Sequence, residues 1–145
     1  MIFLICAAFA CVMLTDLISV HLFKETIQRF RPTHNVEIGH LVQTVLKPNG
    51  EEYRGGTFGF VSSHAANFGG ITMMLVLFFR KYSKAWYLLF LWYILICYSR
   101  IYLGVHYPSD LIAGGILGMF VGYFIYKATK VFSQKLDESQ GKLIP

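Results

Sequence analysis

Ser99-Arg100-Ile101-Tyr102-Leu103-Gly104-Val105-His106-Tyr107-Pro108-Ser109-Asp110 closes one strongly apolar run and opens the next, so it marks the junction of two membrane segments at an interface. The stretch carries an arginine, a histidine and a carboxylate within twelve residues. His106 and Asp110 are four apart. A helix opened by Pro108 lets the aspartate reach back to one imidazole nitrogen and leave the other free. An oriented imidazole beside a guanidinium suits a nucleophile and an anchor for a phosphoryl group. Taken alone, the same residues equally suit a polar helix junction in the headgroup zone. Two upstream clusters decide between these readings.

The composition sets the frame. Of 145 residues, 55% are hydrophobic and only 14% charged, with a mean hydropathy of +0.51. Soluble domains carry about a quarter charged residues, so several long apolar runs here indicate an all-α, integral membrane helical bundle. Its expected content is about four transmembrane helices plus a short interfacial helix. Residues 1–135 read as one membrane domain and 136–145 as a polar tail, with fraying expected from Ser133 onward. The net charge of +5 comes from basic residues gathered between apolar runs. Basic residues and aromatics do not interleave, which argues against nucleic acid as a partner. Cys6, Cys11 and Cys97 lie inside apolar runs and read as small buried residues with no disulfide.

Upstream, residues 1–23 are long enough to span a bilayer. Asp16 in their second half costs about 2.5–3.5 kcal/mol at a bilayer centre and should face protein or water. Lys24 and Arg31 then stand seven apart, so a continuing helix places both cations on one face until Pro32 ends it. Apolar residues at 36, 38, 41, 42, 45 and 46 predict a short interfacial helix over Val36–Leu46. Lys47-Pro-Asn-Gly50 reads as a turn. Ser62 is a helix N-cap whose following amides form an anion site, with His64 in the first turn placed to give a proton to a leaving oxygen. The second span ends near Phe79, the third runs from Ala85 to Leu103, and the fourth covers Leu111–Phe132. In the fourth, Gly114, Gly118 and Gly122 form small-xxx-small pairs suited to close helix packing, including packing onto a second copy of the chain.

Counting spans puts the ends near Lys24, Ser62, Arg100 and Pro108 on one membrane face. The opposite face holds Arg80, Lys81, Lys84, Lys127, Lys130 and Lys135, which the positive-inside tendency makes cytoplasmic. The clusters therefore face outward from an inner or plasma membrane, toward a periplasmic or extracellular side. Lys24, Arg31 and Arg100 bring cations to one site, and Ser62 and Ser63 add neutral donors. The sequence offers no acidic cluster for a divalent metal and no cofactor motif, so charge compensation falls to protein cations. Such a site suits a phosphate ester or anhydride and a covalent phosphohistidine.

Lys24-x6-Arg31-Pro32, Ser62-Ser63-His64 and Ser99-Arg100-x5-His106-x3-Asp110 together resemble the three-part signature of the type-2 phosphatidic acid phosphatase family. Where that family usually reads Pro-Ser-Gly-His, this chain has Val61 and Ser63 in place of the proline and glycine. The resemblance implies a metal-independent lipid phosphatase in which His106 attacks phosphorus, Asp110 orients it, and His64 protonates the leaving group and then activates water. Lys24, Arg31, Ser62, Ser63 and Arg100 would hold the phosphate oxygens. Opposite proton requirements on the two histidines imply a bell-shaped pH–rate profile. Family members usually have six spans, and this chain carries four, beginning at what resembles the family's third. A catalytically silent truncated protein or assembly subunit is therefore the main alternative. A transporter would spread ionisable groups across membrane depth, whereas these gather at one face. The expected substrate is a lipid phosphate or isoprenyl diphosphate: undecaprenyl diphosphate, phosphatidylglycerol phosphate, phosphatidic acid or a lipid A phosphate.

Overall fold

The computed structural model describes residues 2–141. Three of its helices are long and apolar enough to cross a bilayer, Phe3–Ile27, Lys84–Tyr102 and Pro108–Leu136. A fourth apolar helix, Ser63–Phe79, has 17 residues and so rises about 25 Å. The chain is an integral membrane helical bundle with the expected helix order.

Helix α1 (Ile2–Leu17) passes without a break into a π-helical segment, Ile18–Lys24, and a last turn, Glu25–Ile27. Gln28 ends it in the left-handed region at φ 51°. The backbone then runs extended through Arg31, and Pro32 opens a separate 3-10 turn, Pro32–His34. Lys24 and Arg31 thus do not share a helix face, contrary to the seven-residue expectation. The helix stops three residues earlier, because the Arg29 carbonyl and the Arg31 N–H bond across to Gly59 and Thr57 rather than along a helix.

Helix α2 (Ser63–Phe79) is the central element. Ala65, Ala66, Gly69, Gly70, Thr72, Met74 and Val76 are all buried on it. It runs parallel to α4 (Pro108–Gly141), with Ser62, Ala66 and Gly70 meeting Gly114, Gly118 and Gly122 in register. A Cβ at Gly118 would overlap the Ala66 carbonyl oxygen, and one at Gly122 that of Gly70. The glycine stripe is thus engaged within the chain, which lets two backbones approach as only small residues permit. Helix α3 (Leu88–Tyr102) follows a 3-10 turn, Lys84–Tyr87. It inserts the Tyr93 ring beside Gly115, while Leu91, Trp92, Ile94, Leu95 and Tyr98 stay exposed on its outer side, where lipid would lie.

Three local expectations need correction. Val36–Leu46 is not a helix: only Gly39–Leu41 forms a 3-10 turn. Asn35 Oδ1 accepts from the N–H groups of Glu37 and Ile38, an alternative to helical pairing. Val42 alone packs inward, over Gly104; with Val36 94% and Leu41 70% exposed, too little of the apolar stripe is covered to stabilise a helix. Helix α4 continues through Gly141, so residues 133–141 extend the last helix; residues 142–145 lie outside the described residues. Cys6 is exposed on α1, whereas Cys11 is buried against Gly70. The Lys47–Gly50 turn forms as read, closed by Gly50 N–H to the Lys47 carbonyl with Gly50 at φ 82°.

Candidate active site

The ends of all four helices and the 28–62 loop meet at one end of the bundle. Ser62 has extended backbone, and its Oγ accepts from Ala65 N–H at 3.4 Å, capping α2. Its own N–H donates to the Asp110 carbonyl at 3.1 Å, which ties the start of α2 to the first turn of α4. Lys24 Nζ donates to Ser63 Oγ at 2.6 Å, and buried Ser19 lies 2.7 Å from the same oxygen. The wide π-helical segment is what carries Ser19 and Lys24 against α2. Ser63 is therefore held at the mouth of α2, whereas the Ser62 hydroxyl is fully buried in the cap.

Arg31 reaches the site from the loop. Its Nε donates to the Phe58 carbonyl at 3.1 Å, and its guanidinium fills the space a side chain at Gly55 would need. Arg100 stands in the last turn of α3, with Nε 3.2 Å from Ser99 Oγ. Gly104, at φ 66°, then turns the chain while leaving room for Val42 to pack over it. This turn delivers His106, which is 3% exposed, beside Asp110, which is 0% exposed. His106 Nδ1 and Asp110 Oδ2 are 3.4 Å apart, and Oδ2 also accepts from Tyr107 N–H at 2.9 Å. The carboxylate is thereby fixed toward one ring nitrogen, and Nε2 has no hydrogen-bond partner among the described residues. Burial pulls His106 below the ordinary histidine value of 6.5; the Asp110 hydrogen bond opposes this, while Arg31 and Lys24 add to it. A neutral imidazole with a free nitrogen is a nucleophile. His64, by contrast, is exposed in the first turn of α2, within electrostatic reach of Arg100, His106, Lys24 and Arg31.

The family model described as the PAP2 superfamily matches residues 4–133. The chain belongs to this superfamily. Among its relatives, a lipid A 4'-phosphatase of Porphyromonas gingivalis is 36% identical over 128 residues, covering 87% of this chain and 51% of the relative. A lipid A 4'-phosphatase of Bacteroides thetaiotaomicron is 45% identical over 103 residues, 69% of this chain and 42% of the relative. An undecaprenyl-diphosphatase of Sulfolobus acidocaldarius is 31% identical over 100 residues, 69% of this chain and 43% of the relative. The chain spans about half the length of the curated relatives it matches. No solved structure matches it significantly.

In this PAP2 chain the bundle end gathers residues that lie far apart in sequence: Lys24 and Ser63 in direct contact, Asp110 against His106, and Arg31, Arg100 and His64 linked to them through the field they share. Sequence reasoning passed over Arg29, which lies 3.3 Å from Asp110 and 3.0 Å from Ser109 Oγ. It reads as one more basic flank, and only the folded loop reveals its partner. It also passed over Ser19 and Gly59. A Cβ at Gly59 would come within 3.1 Å of Asp110 Oδ2, so the loop lies close over the carboxylate at this glycine.

Proposed function

We propose that this PAP2 chain carries the active site of a metal-independent membrane phosphatase acting on a lipid phosphate through a phosphohistidine intermediate. The supporting observation is the meeting of a buried, carboxylate-oriented imidazole with Lys24, Arg31 and Arg100 at one end of a membrane bundle. His106 Nε2 attacks phosphorus and the bond from phosphorus to the leaving oxygen breaks. His64 gives that oxygen its proton. Water then loses a proton to His64, attacks phosphorus and releases inorganic phosphate with His106 restored. The cations and Ser63, with the α2 amides that Ser62 presents, hold the three phosphoryl oxygens as charge builds on them; removing one such donor costs about 2.7–4 kcal/mol. The contrast in burial suits the roles: the nucleophile is sheltered, and the group that must meet leaving group and water is exposed.

The substrate class follows from the setting. A site at the rim of apolar helices meets amphiphiles lying in the same membrane. The two relatives named for lipid A 4'-phosphate favour a phosphate monoester on a lipid A-like headgroup over an isoprenyl diphosphate. The basic residues at the opposite end orient the site outward. The test is phosphate release from a panel of lipid phosphates in detergent with EDTA present, comparing wild type with His106→Ala. Release that persists in EDTA and is lost in the variant is the expected result. No release from any lipid phosphate would instead favour a catalytically silent family member, and loss on EDTA addition would refute metal independence.

A further inference from the structure

Arg29 fills an unspecified position of the first motif, between Lys24 and Arg31, yet among the described residues it is the arginine that stands against the buried carboxylate. Its Nη1 lies 3.3 Å from Asp110 Oδ1, and both Nη atoms donate to Ser109 Oγ at 3.0 Å. The guanidinium stacks over the Tyr107 ring, 4.3 Å from its centroid, with Phe60 on a further side at 5.8 Å. Backbone pairing fixes where it comes from: the Arg29 carbonyl accepts from Gly59 N–H at 2.8 Å, and Phe30 pairs with Phe58 in an isolated bridge. One half-buried side chain thus touches residues 107, 109 and 110, the whole entrance to α4.

The two carboxylate oxygens divide their work. Oδ2 takes the Tyr107 N–H and faces His106 Nδ1. Oδ1 is buried and, among the described residues, meets no hydrogen-bond donor in good geometry; Arg29 stands at ion-pair distance from it but off the hydrogen-bond angle. A buried carboxylate without a cation beside it is costly, and a group removed from water finds compensation only in its contacts. Resting on the reading of His106 as nucleophile, we propose that Arg29 is a positioning residue: it holds Asp110 Oδ1, and through Oδ2 it sets the tautomer and direction of the His106 ring. It does not bind the phosphoryl group. Lys24, Arg31 and Arg100 keep that task, and Arg29 is occupied by Ser109, Tyr107 and Asp110.

The experiment compares Arg29→Ala, Arg29→Lys and Asp110→Asn, alone and with Arg29→Ala and Asp110→Asn combined, in kcat and KM for lipid phosphate hydrolysis. Misdirecting a catalytic group costs on the order of 100-fold. Arg29→Ala should lower kcat by about that factor with KM little changed. Arg29→Lys keeps a cation without the fork and should recover an intermediate rate. Adding Arg29→Ala to Asp110→Asn should cost little more, because both act through one carboxylate. A rise in KM at unchanged kcat would make Arg29 a substrate ligand and overturn the assignment. Multiplying losses in the double variant, or no rescue by lysine, would reduce Arg29 to a structural contact and overturn it as well. Nitrogen-15 histidine spectra give a readout that needs no turnover. The His106 Nδ1 signal should shift in Arg29→Ala in the same direction as in Asp110→Asn, and an unmoved signal refutes the proposal. If wild type releases no phosphate, the functional reading fails while these spectra still decide the role of Arg29. Should Arg29→Ala not fold, Arg29→Gln and Arg29→Lys carry the same comparisons.

Discussion

The two ends of this bundle carry charge of the same sign and use it differently. At one end Lys24, Arg29, Arg31 and Arg100 are each half-buried and drawn from three separate segments toward a serine, a carboxylate and two histidines. At the other, Arg80, Lys81, Lys84, Lys127, Lys130 and Lys135 are exposed. Lys81 and Lys127 lean on the aromatic rings of Tyr82 and Tyr123. Exposed flanking cations set orientation through the membrane field and interact weakly with one another. Cations taken partly out of water gain strength toward an anion, because the medium around them screens less. On the proposed reading, an orientation signal and a phosphoryl site differ in burial and convergence, not in the number of lysines and arginines.

The comparison breaks most sharply at His106. On the proposed mechanism His106→Ala should lower phosphate release at least about 1,000-fold, since it removes the proposed nucleophile and with it the covalent route, while Lys81→Ala and Lys130→Ala stay within about twofold. Comparable losses at both ends, measured as initial rates at matched protein levels, would erase the distinction. Lys24→Ala and Arg100→Ala come next. Each should cost about 100- to 1,000-fold in kcat, the scale of one preset donor at a charged transition state. A third effect sharpens the link between packing and site. Gly118→Val forces a side chain into the Ala66 carbonyl and should cost about 1–3 kcal/mol, read as a lowered Tm in detergent. Activity should fall with it, because α2 and α4 together carry Ser63, His64 and Asp110.

The smallest effect is in pH. His106 titrates below 6.5 in the folded protein because it is buried. The acid limb of kcat/KM should therefore have its midpoint below 6.5. Stability follows the same sign: the unfolded chain binds the proton more readily, so the contribution of the neutral ring is present above 6.5 and is lost as pH falls through and below that value. An acid limb centred above 7 would contradict the burial of this histidine.

The spans, the Ser62 cap, the Lys47–Gly50 turn and the meeting of three motifs were all legible, because each rests on local chemistry or on counting membrane crossings. What escaped was set by contacts between distant residues. The periodicity of Val36–Leu46 is helical, but the Asn35 side chain offers those amides another partner and Val36 and Leu41 stay uncovered. The seven-residue spacing of Lys24 and Arg31 invites a helix, yet cross-loop pairing with Thr57 and Gly59 ends it early. The glycines of α4 announce close packing without saying against what; the answer, the parallel face of α2, lies 48 to 52 residues upstream in chain order. Arg29 carried no signal at all until Asp110 stood beside it.

The most direct measurement is to quench the reaction with a phosphorus-labelled lipid phosphate and map the label by peptide sequencing. Acid-labile label on His106, absent from His106→Ala, is the predicted result. Steady phosphate release with no label on His106, or release undiminished in that variant, would contradict a phosphoryl site built around this imidazole.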